Sequence, residues 1–125
     1  MKTLTLMHVT KTYPGGARPV IDDLSLTVPA GSLTALLGPS GSGKSTLLRM
    51  IAGFADPDAG EIRLNDVSIL RRPPDRRGVV MVFQNAPLFP HLTLADNVAF
   101  GLRMRGLAAA DISARVAAML DRVQL

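Results

Sequence analysis

The amino-acid sequence predicts an α/β fold, and three observations carry that prediction. Two near-continuous apolar runs of strand length, Leu33-Thr34-Ala35-Leu36-Leu37 and Val79-Val80-Met81-Val82-Phe83, read as strands buried on both faces. The first run leads directly into a glycine-rich stretch, Gly38-Pro39-Ser40-Gly41-Ser42-Gly43-Lys44-Ser45-Thr46, and then into a helical segment. The C-terminal third places apolar residues at helical spacing. Strands therefore alternate with helices, as they do in a parallel α/β layer.

The elements follow in order from the amino terminus. Leu4, Leu6 and His8 alternate with Thr3, Thr5 and Met7 in a first strand, which the turn Tyr13-Pro14-Gly15-Gly16 ends. Asp23 to Val28 repeats the two-residue period, and Pro29-Ala30-Gly31 turns the chain into the run at 33–37. The helix expected over 45–52 sets Leu47, Leu48 and Ile51 on one face, with Gly53 as its stop and Pro57 beyond. Asp56-Pro57-Asp58-Ala59-Gly60 reads as a turn, Glu61 to Leu64 as a short strand, and Asn65-Asp66 as a hairpin tip. The run at 79–83 ends sharply at Gln84-Asn85, a polar strand end of the kind that faces ligands in open α/β sheets. After a loop holding Pro87, Phe89 and Pro90, Thr93 N-caps a helix bearing Leu94, Val98 and Leu102, stopped by Gly106. A last helix, behind Asp111 as its cap, carries Ile112, Val116, Leu120 and Val123. There is no internal repeat and no low-complexity linker.

The stretch from Gly38 to Thr46 carries the chemistry. Its spacing, Gly38-x4-Gly43-Lys44-Ser45, fits the P-loop pattern, in which glycines turn backbone N–H groups inward and a helix N-terminus adds partial positive charge. Lys44 would reach terminal phosphates as a point charge, Ser45 would offer its hydroxyl to Mg2+, and Thr46 would bond an inner phosphate. A flexible Gly/Ser loop is the alternative, and the strand before and helix after favour the phosphate site.

Composition sets further bounds. The length suits one small domain, and 47% apolar residues suffice for a core. No apolar run approaches the ~20 residues of a membrane helix, and Thr3, Thr5 and His8 interrupt any signal-like core, so a cytosolic chain is expected. The absence of cysteine excludes disulfides, thiolate metal sites and cysteine nucleophiles. Most of the net charge of +4 comes from Arg71, Arg72, Arg76 and Arg77, which read as a solvated loop. With no aromatic residue among them and 4% aromatics overall, a nucleic-acid partner is not expected, and anionic lipid or a membrane-bound partner is the better match.

Tyr13, the P-loop at 38–46, Gln84 after an apolar strand, and Leu88-Phe89-Pro90-His91-Leu92-Thr93 together resemble the ATP-binding subunits of ABC transporters. The segment from Phe83 to Gly106 is most similar to importer subunits serving polyamine, sulfate, iron or similar small solutes. The resemblance spans essentially the whole chain and implies the N-terminal part of a P-loop NTPase-type ABC ATPase fold. That part comprises an antiparallel β-layer, part of the parallel core sheet and the start of a helical subdomain, divided into residues 1–86 and 87–125. It implies Mg-ATP as ligand, held by Tyr13 stacking on adenine, by Gly38, Pro39, Ser40, Gly41, Ser42, Gly43, Lys44, Ser45 and Thr46, and by Gln84. Ser45 and Gln84 are the implied metal ligands. It also implies a transmembrane permease at the Gln84–His91 region, a second ATP-binding subunit, and a place on the inner face of the cell membrane. Phe89 is open to two roles, in that docking patch or in the core.

The family's Leu-Ser-Gly-Gly-Gln signature, its Asp-Glu strand end and its later histidine do not occur in these 125 residues. The one glutamate, Glu61, sits at a strand start, so no catalytic base is nominated and the isolated chain is not expected to hydrolyse ATP. Val116 to Asp121 imitates an apolar strand ending in aspartate, yet its alanines and helical spacing mark it as helix, with Arg122 following. His8 and His91 read as ordinary strand and loop residues. Two alternatives stand beside the transporter reading: a soluble ABC-type factor acting on ribosomes or DNA, and a truncated remnant.

Overall fold

The computed structural model describes residues 2–85 and 88–125, so Pro87 and the expected boundary between residues 86 and 87 lie outside the described residues. The chain divides into two compact units, residues 1–81 and 82–125, each built as follows. The first holds strands β1 (Leu4–Lys11), β2 (Ile21–Val28), β3 (Ala59–Leu64) and β4 (Val67–Ser68), helix α1 (Lys44–Ala52) and a 3-10 turn at Pro74–Arg76. The second holds helices α2 (Leu94–Met104) and α3 (Ala109–Arg122).

The four strands form one antiparallel sheet in the order β2-β1-β3-β4. Asn65 and Asp66 both take positive φ, 48° and 63°, which makes the β3–β4 connection the tight hairpin expected of an Asn-Asp tip. The alternation read from the sequence breaks at His8. Its φ is 52°, the register with both neighbours shifts there, and Val9 instead of His8 points into the core. A β-bulge explains the change, because one inserted residue moves every later side chain to the opposite face. Gly60 faces the bulge with φ 93°, and a Cβ there would stand 2.4 Å from the His8 carbonyl oxygen. His8 turns outward, its Nδ1 lying 2.7 Å from Asp23 Oδ1 and its N–H donating to Ser25 Oγ.

Helix α1 lies against this sheet. Leu47, Met50 and Ile51 join Leu6, Val9, Ile21, Ile62 and Ile69 in the core. Leu48, expected on the same face, is half exposed. The helix starts at Lys44 and buries Thr46, Leu47, Met50 and Ile51, so Leu48 falls at the edge of the apolar stripe. Gly53 closes the helix in the left-handed conformation, with Gly53 N–H to Met50 C=O and Phe54 N–H to Arg49 C=O completing a Schellman motif.

Two expectations about the first unit's periphery are corrected. The runs at 33–37 and 79–83 do not enter a sheet among the described residues, and Leu33 and Val82 are 100% and 90% exposed. Leu36 and Val79 alone among them pack on the core. A strand buried on both faces needs a hydrogen-bonded neighbour, and the antiparallel sheet takes in neither run. Arg77, grouped with the solvated arginines, is 2% exposed. Its Nη1 donates to the Met50 carbonyl at 2.7 Å, its Nη2 to Leu70 at 3.0 Å and its Nε to Arg72 at 2.8 Å. It therefore satisfies the carbonyls at the end of α1 that have no partner within the helix.

In the second unit Thr93 is the N-cap of α2 as expected: its Oγ1 accepts from Asp96 N–H at 3.1 Å and donates to Asp96 Oδ2 at 2.6 Å. Arg103 pairs with the other Asp96 oxygen. Asn97 binds the preceding loop, accepting from Phe89 N–H at 2.8 Å and donating to the carbonyls of Phe89, Leu92 and Thr93. Phe89 packs on Phe100 with ring centroids 4.5 Å apart. Gly106 ends α2 through a second Schellman motif. Asp111 is not the cap of α3; Ala108 occupies that position, and Asp111 lies in the first turn, where its charge complements the helix dipole. Val123 sits at the C-cap, just past the helix. Ala99 and Val116 are the buried residues of the α2–α3 pair.

Removing the Arg77 side chain takes the guanidinium donors from the part-buried carbonyls of Leu70 and Arg72 and one of two donors from the Met50 carbonyl, and an unsatisfied buried acceptor costs about 1–3 kcal/mol. Arg77→Ala is expected to lower the unfolding free energy by about 3 kcal/mol in urea titrations, whereas Arg76→Ala stays within about 0.5 kcal/mol. Hydrogen bonds from Thr93 and then Arg103 hold the Asp96 carboxyl below the usual carboxylate range. A depressed folded value stabilises above the unfolded pKa and is lost as pH falls through the folded one. Helical circular dichroism of α2 and α3 should therefore melt earlier in acid, and Asp96→Asn should flatten that acid dependence.

Candidate functional site

The loop from Gly38 to Thr46 is held at its C-terminal end by the first unit's core. Gly43 enters α1 with φ 86°, and a Cβ there would meet the Val20 carbonyl oxygen at 2.6 Å and Ile21 Cδ1 at 2.7 Å. The loop thus presses on the start of β2 so closely that only glycine fits. Gly41 also takes positive φ, 80°. The first α-helical bond of α1 is Leu47 N–H to Gly43 C=O at 2.9 Å, which leaves the N–H groups of Lys44, Ser45 and Thr46 without an intrahelical acceptor.

Lys44 folds over the loop. Its Nζ donates to the carbonyls of Gly38 at 2.8 Å and Pro39 at 2.7 Å and to Ser42 Oγ at 3.2 Å. The ammonium, the helix N-terminus and the hydroxyls of Ser40, Ser42 and Ser45 surround a concavity of about 360 Å³, lined from Ser40 to Thr46 and by Val20. Such a concavity attracts anionic oxygens. Thr46 is buried at its inner edge.

Tyr13 meets this edge from the β1 side. Its Oη lies 3.4 Å from Thr46 Oγ1, either oxygen being able to donate, and the ring is 43% exposed. The turn that presents it is closed by Gly16 N–H to Tyr13 C=O at 2.9 Å, with Gly15 at φ 82°. Behind it stands a clamp that sequence reading missed. Asp58 accepts from Lys11 Nζ at 2.8 Å and from Thr12 N–H at 2.6 Å, and its own N–H donates to Thr10 C=O. These bonds, Lys11's first, hold the Asp58 carboxyl below its usual range. The Lys11 ammonium also lies over the Tyr13 ring, 5.9 Å from its centroid.

The structure therefore brings Tyr13 to the loop residues 38–46. Gln84 belongs to the second unit, where it is an exposed residue of a bend. Arg71, Arg72 and Arg76 remain exposed while Arg77 does not. Among the described residues there is no group of three His, Asp or Glu placed to hold a metal. No helix of the described residues is long and apolar enough to cross a membrane.

The sequence profile of the family described as "ABC transporter" matches residues 21–125. The chain is 50% identical over 125 residues to the spermidine/putrescine import ATP-binding protein PotA of Nitrosomonas europaea, covering 100% of this chain and 34% of that protein. It is 51% identical over 122 residues to the sulfate/thiosulfate import ATP-binding protein CysA of Mycobacterium bovis, covering 98% of this chain and 34% of that one. It thus spans about a third of the length of these relatives. Among solved structures it superposes, at a TM-score of 0.84 and 28% identity, on an ATP-binding cassette captured as a dimer in a post-hydrolysis state with ADP and Pi. That match covers 98% of this chain and 57% of the solved one.

Proposed function

The chain belongs to the ABC transporter family, and from that premise we propose that it supplies the Mg-ATP-holding part of an ATPase that energises solute import. One observation carries the proposal: Lys44 and the N-terminus of α1 converge on the loop from Gly38 to Thr46, with Tyr13 seated at its edge. Lys44 exchanges the Gly38 and Pro39 carbonyls for the outer phosphate oxygens, a stronger, charge-assisted set of partners. The N–H groups of Gly41 to Thr46 bind the inner phosphates, and Tyr13 stacks on the adenine. Ser45 would hold the Mg2+, which neutralises phosphate charge when bound.

Import as the task is carried over from the named relatives, and pairing with a second ATP-binding subunit from the solved dimer; a transmembrane permease as partner and a position on the cytoplasmic face of the membrane complete the proposal. The segment from Gln84 to His91 is the proposed permease contact. Asn97 supports that reading, because its four hydrogen bonds fix Phe89 to Thr93 as a shaped surface. The relatives named for a cationic amine and for an oxyanion are about equally similar to this chain. Solute identity is accordingly assigned to other proteins of the transporter.

Lys44→Ala is expected to weaken ATP binding at least tenfold, about 1.4 kcal/mol, in isothermal titration, and to abolish the rise in melting temperature that ATP gives. Unchanged affinity would remove the phosphate role of the loop. Glu61, the one glutamate, accepts a hydrogen bond from Ser68 Oγ across the β3–β4 hairpin, away from any base role. The 125-residue chain should therefore bind ATP without turnover; phosphate release at about 1 s⁻¹ or faster, lost in Lys44→Ala, would contradict this.

A further inference from the structure

We propose that Asp58 is the positioning residue of the nucleobase platform, setting the place of Tyr13 through Lys11 and Thr12. The proposal rests on the reading of Tyr13 as the residue that stacks on adenine. Tyr13 has no helix or strand of its own; it follows the last residue of β1 by two positions and stands on a turn. A platform on a turn must be fixed from outside if stacking is not to lose the entropy of ordering it.

Asp58 supplies that fixing from a turn 45 residues further along the chain. One carboxylate oxygen takes the Thr12 N–H at 2.6 Å, which sets the backbone immediately before Tyr13. The other takes Lys11 Nζ at 2.8 Å, and the Asp58 N–H returns a bond to Thr10 C=O at 2.9 Å. Three consecutive residues, Thr10, Lys11 and Thr12, are thus tied to one side chain and its backbone. The Lys11 side chain is 16% exposed, so its stem is packed and its ammonium stays in place. That ammonium lies over one face of the Tyr13 ring, and the Tyr13 hydroxyl reaches Thr46. The ring is held at its base, on one face and at its tip, and the opposite face is the one proposed to receive a planar ligand.

Asp58 touches no part of the phosphate loop in this network, so its effect should be confined to the base. The test measures ATP and tripolyphosphate binding by isothermal titration with the full chain, its Asp58→Asn, Lys11→Gln and Tyr13→Ala variants, and the Tyr13→Ala/Asp58→Asn double variant. Tyr13→Ala and Asp58→Asn are each expected to weaken ATP about three- to tenfold and to leave tripolyphosphate within about twofold. Lys11→Gln should reproduce the Asp58→Asn pattern, and the double variant should bind ATP no more weakly than Tyr13→Ala alone. If Tyr13→Ala weakens ATP while Asp58→Asn does not, the positioning role fails and the stacking role survives. Equal weakening of ATP and tripolyphosphate by Asp58→Asn, or full additivity in the double variant, would overturn it as well. An unchanged ATP affinity in Tyr13→Ala would instead remove the stacking reading itself, and the positioning role with it.

Discussion

The guanidinium of Arg77 is the constraint on which the first unit turns. Its donors face the carbonyls of Met50, Leu70 and Arg72, so one side chain joins the end of α1 to the segment that leaves the β3–β4 hairpin. Burial lowers its pKa from the ordinary arginine value, and Asp56, 3.9 Å away, works in the opposite direction. Arginine stays charged under such conditions, and its planar fork suits several carbonyls at once, as a lysine would not. Gly53 is part of the same device: a Cβ there would stand 2.6 Å from Arg77 Nε. The far end of α1 is thereby fixed, and the near end of α1 is the phosphate loop. A helix of 9 residues with its C-terminus anchored and its N-terminus pressed on β2 has little freedom to rotate. The first-turn N–H groups keep their direction for that reason.

Much of this was legible in the sequence, and the division follows the range of the interactions involved. Gly53, Gly106, Thr93 and the Asn65-Asp66 tip announce themselves because each satisfies a local need: a left-handed cap, an N-cap oxygen, a hairpin turn. The loop at 38–46 is likewise a local pattern. His8 was misplaced because a bulge depends on what lies across the ladder, here Gly60, and strict alternation contains no sign of it. Arg77 was misplaced because nothing in a run of arginines separates the one that meets a helix end 27 residues away. Asp58 hid in a turn whose Asp-Pro-Asp-Ala-Gly composition already explained itself, while its side chain grips the end of a strand 47 residues earlier. Asn97 offered a faint signal, since asparagine inside a helix is disfavoured unless its side chain has another task.

In the proposed reading, the site and the β-layer divide the work of recognition between them. The proposed contacts to phosphate come from one contiguous stretch whose conformation glycine permits, so they are written into the local sequence. The aromatic edge at Tyr13 comes from a different part of the chain and meets that stretch only through the fold. Its position therefore depends on sheet register, on the bulge at His8 and on Asp58, none of which touches phosphate. Such an arrangement lets affinity for the anion and preference for the base vary separately.

The two apolar runs that lie outside the sheet have a consequence for how the protein behaves in solution. Leu33 and Leu37 on one, and Val80 and Val82 on the other, present side chains to water beside backbone that no ladder engages. Extended β-prone backbone of this kind is a template for strand addition, by another copy or by any chain with a free edge. The same segments that make the α/β pattern visible in the sequence leave apolar side chains open to water, so self-association is expected to rise with protein concentration.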